Sequence, residues 1–134
     1  MSRRTTAIAA ALSLLALGSP LVGANANPLV TQYLDQGVEK YDAGNYQGAI
    51  DDYTKAIEIN PLDYTAYNNR GHAKRYLNDR QRAIADFTTA IEINPRIVLA
   101  YFNRGIDRFK LGDLRGAITD YDKAIEIDPQ FEDA

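Results

Sequence analysis

The sequence predicts an all-α protein, an α-solenoid of three stacked helix-turn-helix units. Three observations carry that prediction. The phrase KAIEINP at residues 55–61 returns as TAIEINP at 89–95 and KAIEIDP at 123–129, always 34 residues apart. The same interval relates Gly37, Gly71 and Gly105; Tyr33, Tyr67 and Tyr101; Ala49, Ala83 and Ala117; and Ile50, Ile84 and Ile118. Within one period the apolar residues recur every three or four positions, the mark of an amphipathic helix, and a fixed period of this length marks stacked repeats.

The first 26 of the 134 residues fall outside the period. Arg3 and Arg4 form a basic head, residues 7–17 are nearly all apolar, and Gly18, Pro20 and Gly23 precede Ala24-Asn25-Ala26. That order is the grammar of a secretory signal peptide, with cleavage expected before Asn27. The apolar run is shorter than the roughly 20 residues a membrane span needs, so no stable membrane insertion is expected after cleavage. The expected organisation is a signal peptide over 1–26 and one domain over 27–134. An exported chain would reside in the periplasm, an equivalent lumen, or outside the cell.

Cleavage would remove Arg3 and Arg4 from the 15 basic residues, leaving 13 against 18 acidic ones, a net charge of about −5. The charges are interspersed rather than gathered into a basic tract, which argues against nucleic-acid binding. The absence of cysteine excludes disulfides, thiol catalysis and cysteine-held zinc.

Each unit reads as two helices. In the second, Tyr67, Gly71 and Leu77 fall near one helical face before a break at Asn78-Asp79. Ala83, Ile84, Phe87, Ala90 and Ile91 then mark the next helix. Asn45, Asp79 and Asp113 stand where a short polar side chain caps the second helix. Gly44 and Gly112 suit the preceding helix's C-terminal cap, and Pro61, Pro95 and Pro129 end the second helices. Gly71 and Ala83 permit close approach within a unit, and Ala90 permits close approach between units.

These residues resemble the tetratricopeptide repeat: Tyr67, Gly71, Ala83, Phe87, Ala90 and Pro95 match its signature in order and spacing. The units would be residues 30–63, 64–97 and 98–131, and the resemblance implies a right-handed superhelix. Asn103-Arg104-Gly105 and Asn69-Arg70-Gly71 are similar to a variant of bacterial members. Two positions depart from the pattern. Lys40, Lys74 and Arg108 replace an aromatic, and Gln36, Arg70 and Arg104 replace an apolar residue. Their long side chains are expected to lie along the surface with their heads in water.

The resemblance implies a protein-binding module whose first helices line a concave groove for a partner peptide or helix. The implied groove positions are Leu34, Val38 and Tyr41 in the first unit and Asn68, Asn69, His72, Arg75 and Tyr76 in the second. The third supplies Leu99, Phe102, Asn103, Ile106, Phe109 and Lys110. A clamp for chaperone carboxylate tails, the family's best-known specificity, would need lysines at 34 and 99, asparagines at 38 and 69, and arginine at 103. Only Asn69 agrees. A carboxylate desolvated against Leu34, Val38 and Leu99 would lack counter-charges, so that specificity is not expected.

Leu99, Phe102, Ile106 and Phe109 share one helical face, either as a docking surface or as cover for the chain's own last helix. Asp51-Asp52 and Asp120/Asp122 read as solvated faces of second helices. His72 reads as a hydrogen-bonding surface residue. No nucleophile–base set, phosphate loop or metal-spaced cluster stands out, so neither an enzyme nor a cofactor or metal is expected. Leu114, Ile118, Tyr121 and Ile125 are expected to lack a neighbouring unit on one side. The alternatives are cover within their own unit, an incomplete reading frame, or a permanent partner or homo-oligomer across that edge, the last making a self-associating scaffold the alternative to an adaptor.

Overall fold

The computed structural model describes residues 27–131. Six helices follow one another: α1 (Pro28–Asp42), α2 (Tyr46–Ile59), α3 (Tyr64–Tyr76), α4 (Arg80–Ile93), α5 (Val98–Lys110) and α6 (Leu114–Ile127). They pair as three hairpins, α1/α2, α3/α4 and α5/α6, and each hairpin packs on the next. The described residues contain no strand. Helices of 13 to 15 residues are marginal alone in water, so packing between them supplies the stability.

The helix ends follow local chemistry. The side chains of Asn45, Asp79 and Asp113 accept from the amides of Gly48, Arg82 and Gly116 at 2.9, 3.2 and 2.9 Å. Asp63 caps α3 through the Ala66 amide at 3.0 Å, and Asn27 caps α1 through the Leu29 amide at 2.9 Å with Pro28 following. The expected cleavage point would therefore keep the cap of the first helix; residues 1–26 lie outside the described residues. Gly44 and Gly112 turn the chain at φ 79° and 86°, and Asn78 takes the corresponding place at φ 64°. Asparagine is among the few residues that tolerate the left-handed region. Leu77 does not join the buried face that its spacing suggests. It forms the C-cap of α3 and is exposed.

The core is thin and built from small residues against rings. Ala49, Ala56, Ala83, Ala90, Ala117 and Ala124 are essentially fully buried, with Tyr53, Tyr67 and Phe87 between them. Gly71 shows why the period demands glycine. A Cβ there would lie 2.8 Å from the Phe87 ring and 3.1 Å from the Ala83 carbonyl oxygen, which belongs to the backbone and cannot rotate away.

Two expectations about charge are corrected. Arg70 and Arg104 do not hold their heads in water. Arg70 clasps Asp86 with Nε and Nη2 at 2.9 and 2.8 Å, and Arg104 clasps Asp120 at 2.9 and 2.7 Å. Lys74 Nζ adds a contact to Asp86 at 2.9 Å, and Arg108 Nη1 adds one to Asp120 at 2.9 Å. Asp52, Asp86 and Asp120 are accordingly buried, whereas Asp51 and Asp122 remain on the surface. The reason is electrostatic. A buried carboxylate is tolerable only with counter-charges and hydrogen bonds, and the two departing positions of each first helix supply them. Although burial disfavours the charged guanidinium of Arg70, its pairing with Asp86 prevails and raises its pKa. The first hairpin is poorer. Gln36 stands where the arginine would be, and Asp52 Oδ2 has the Lys40 ammonium 2.7 Å away but no well-aligned hydrogen bond.

Candidate functional site

The first helices of the hairpins adjoin one another, with α3 directly touching α5. Their shared side carries most positions expected to line a groove. Val38, Tyr76, Leu99, Phe102, Phe109 and Lys110 are exposed. Leu34, Tyr41, Asn69, His72 and Ile106 are half-buried, and Leu34 packs against the core beneath. Phe102 keeps 37% of its surface open but is partly covered by Phe131, whose ring lies edge-on at 5.0 Å, and by Tyr121 at 5.8 Å.

Three of the expected positions are occupied with one another. Asn68 and Asn103 are buried, and Asn103 Nδ2 donates to Asn68 Oδ1 at 3.3 Å. Arg75 donates from Nε to Asp107 Oδ1 at 2.8 Å and from Nη2 to the Asn103 carbonyl at 2.7 Å. Arg80 Nη1 reaches the same Asp107 at 2.9 Å. These bonds tie α3 and the start of α4 to α5, so they set the groove's floor. Asp107 was not legible as a partner, because the period places Ala73 and Glu39 at the equivalent positions.

An aromatic cluster fills the junction of α1, α2 and α3. Tyr41 and His72 are stacked with centroids 5.4 Å apart, and the Tyr41 hydroxyl and His72 Nδ1 are hydrogen-bonded at 2.8 Å. Tyr46 stacks on Tyr76 at 4.9 Å, and Tyr41 meets Tyr46 edge-on at 5.3 Å. Burial, and then the neighbouring Arg75 cation, push the His72 pKa below its usual range, opposed by Asp107. Burial first, then the neighbouring Tyr76, raises the Tyr41 pKa. Beside this cluster lies a cleft of about 220 Å³ lined by Val38, Tyr41, Asp42, Tyr53, Asn69 and His72. Asp42 and Tyr53 were not expected there, since Tyr53 belongs to α2 and Asp42 ends α1.

The tetratricopeptide repeat family model matches residues 64–97 and again 98–131, and a second model, described as TPR repeat, matches residues 37–75. The chain belongs to the tetratricopeptide repeat family. The two matched repeats coincide with the second and third units expected from the period, while the third match straddles α1, α2 and α3. A tetratricopeptide repeat protein 36 homolog of Nematostella vectensis is 48% identical over 44 residues, which are 33% of this chain and 24% of that protein. The chain thus spans about a quarter of that relative's length.

Several solved tetratricopeptide repeat domains superpose on the hairpins. The first such domain of Spaghetti (RPAP3), bound to the HSP90 peptide SRMEEVD, is 31% identical with a TM-score of 0.73, covering 75% of this chain and 79% of that one. The Arabidopsis OM64 domain is 31% identical with a TM-score of 0.75, covering 77% and 85%. The TPR2B domain of yeast Sti1, in a complex with pHsp70, is 26% identical with a TM-score of 0.76, covering 80% and 86%. Among the described residues no group of acidic and histidine side chains could hold a metal ion, and no helix is long and apolar enough to cross a membrane.

Proposed function

We propose that this tetratricopeptide repeat chain is an exported, non-enzymatic adaptor or assembly scaffold that holds a partner peptide or helix against α1, α3 and α5. The observation that carries the reading is the strip of side chains left open on those three helices. Val38, Tyr76, Leu99 and Phe109 stay exposed on first helices whose opposite sides are closely packed. Exposed apolar and aromatic side chains on neighbouring helices are the kind of surface on which a partner docks. Peptide-bound relatives of the same fold support a protein partner. The chaperone-tail specificity of such relatives is a poor fit, because Leu34, Val38 and Leu99 offer no counter-charge to a carboxylate. Export rests on the leader-like order of residues 1–26.

The test is capture of partners from the exported fraction by the wild type and by Leu99→Ser/Phe109→Ser, with circular dichroism confirming an unchanged helix content. Partners lost by the variant support the groove; identical capture by a folded variant removes it. Self-association is a second reading, favoured by Leu114 and Ile118 on α6, which are 55% and 60% exposed. Sedimentation at two concentrations separates it from the adaptor, which stays monomeric without its partner.

A further inference from the structure

The cleft at the junction of α1, α2 and α3 differs in chemistry from the apolar strip beside it. Its wall is formed by the rings of Tyr41 and His72, and Val38 offers an aliphatic surface. Three polar groups line it with their capacity unused. Among the described residues the Asp42 carboxylate forms no ion pair and accepts no hydrogen bond, the Asn69 amide has no partner, and the hydroxyl of Tyr53 is unbonded. Only 2% of the Tyr53 surface is open, and its hydroxyl is not sealed away without a partner but is accessible where the residue lines the cleft. Burial, followed by the nearby Asp42 and Asp52 charges, pushes its pKa up to about 12, keeping it a donor and acceptor rather than an anion.

Among the residues that line the cleft, the one formally charged side chain is the Asp42 carboxylate. Asp42 is the last residue of α1, where the helix already presents the negative end of its dipole. The cations nearest on the sequence are committed elsewhere: Lys40 to Asp52, and Arg75 to Asp107. Burial favours the neutral form of His72, so the ring contributes no competing charge at neutral pH. An anion entering here would meet a bare carboxylate. A cation would find that carboxylate, two neutral oxygen acceptors on Tyr53 and Asn69, and aromatic side chains beside them.

We propose that this cleft receives a basic side chain, lysine or arginine, of the segment that lies in the groove. The inference rests on the groove reading and adds to it a charge specificity opposite to that of a carboxylate clamp. At about 220 Å³ the cleft is smaller than the pockets that hold drug-sized ligands and suits a single side chain. The aliphatic stem would lie along Val38 and Tyr41 while the head reaches Asp42, as amphipathic side chains do when they bury their methylenes.

The test uses the full chain labelled for NMR and three acetylated, amidated pentapeptides, Ala-Ala-Xaa-Ala-Ala with Xaa as lysine, arginine or glutamate. The lysine or arginine peptide is expected to shift the Asn69 side-chain amide and the Tyr41 ring saturably. The glutamate peptide leaves both unmoved. Asp42→Asn, at an exposed position with no partner to lose, is expected to weaken binding by about three- to fivefold, the worth of an ion pair at an exposed carboxylate. Equal binding by Asp42→Asn, equal shifts from the glutamate peptide, or no saturable shift from either basic peptide overturns the proposal. The two readings fail separately. If Leu99→Ser/Phe109→Ser loses its partners while Asp42→Asn binds the basic peptides unchanged, the groove stands and the cleft falls. If basic-peptide binding depends on Asp42 while Leu99→Ser/Phe109→Ser captures as before, the cleft stands and the apolar groove falls.

Discussion

Replacing Asp86 by alanine should be among the most damaging single changes in this chain. Its carboxylate is fully buried and meets two cations at once, Arg70 through two hydrogen bonds and Lys74 at 2.9 Å. The Arg70 and Lys74 side chains are themselves only 14% and 16% exposed, so neither can simply swing into water. Removing one member of a buried pair typically costs about 3–5 kcal/mol, because the remaining charge is stranded. With a urea slope of about 2 kcal/mol per molar, the unfolding midpoint should fall by roughly 2 M. Asp52 supplies the internal comparison. Its sole cation, Lys40, is 43% exposed and can return to solvent, so Asp52→Ala should cost no more than about 1 kcal/mol. Urea titrations followed by circular dichroism would measure both, with Asp86→Asn as the milder variant should Asp86→Ala fail to fold. Equal costs at the two positions would refute the argument that the paired cations, rather than burial alone, determine the penalty.

Two other expectations follow from local geometry and charge. Gly71→Ala should destabilise by about 1–3 kcal/mol, since the new methyl meets the Phe87 ring at 2.8 Å and the Ala83 carbonyl at 3.1 Å; a denaturation midpoint unchanged from wild type would contradict this. His72 has a folded-state pKa below its reference of 6.5, so the unfolded chain binds its proton more readily. Its contribution is therefore intact above pH 6.5 and lost as pH falls from there toward the folded value. The difference between wild type and His72→Gln, followed between pH 8 and 5, should narrow as the pH drops; a constant or widening gap would show that the sign is wrong.

Much of the fold was legible because glycine, alanine and proline act locally. Gly44 and Gly112 turn the chain with positive φ, and Asn45, Asp79 and Asp113 cap the next helix. All five roles depend on a few neighbouring residues. The ion pairs were less legible because Arg70 meets Asp86 across 16 residues and between two helices. Taken singly, each of those residues has the composition of a solvated surface. The clue lay in correlation: Arg70 with Asp86 and Arg104 with Asp120 repeat at the same separation, and Gln36 breaks the pattern. At the candidate site, the exposed apolar positions followed from helical spacing. Asn68, Asn103 and Arg75 could not be distinguished from them, because only the fold reveals that they bond to one another and to Asp107. The cleft was hidden for a further reason: it joins the end of α1 to Tyr53 on α2 and Asn69 on α3.

The arginines also lend their second face to the preceding hairpin. Arg70 Nη1 donates to Thr54 at 3.2 Å while its other nitrogens hold Asp86, and Arg104 Nη1 donates to Thr88 at 3.2 Å while holding Asp120. One guanidinium therefore belongs to three helices, the one that bears it and those immediately before and after. The written period and the mechanical module are out of phase. The 34-residue frame cuts between α2 and α3 and between α4 and α5, at the seams these arginines stitch. Excising the middle copy at its written borders would sever a seam at each end, so the indivisible parts of this solenoid are overlapping helix triplets rather than the pairs its sequence spells out.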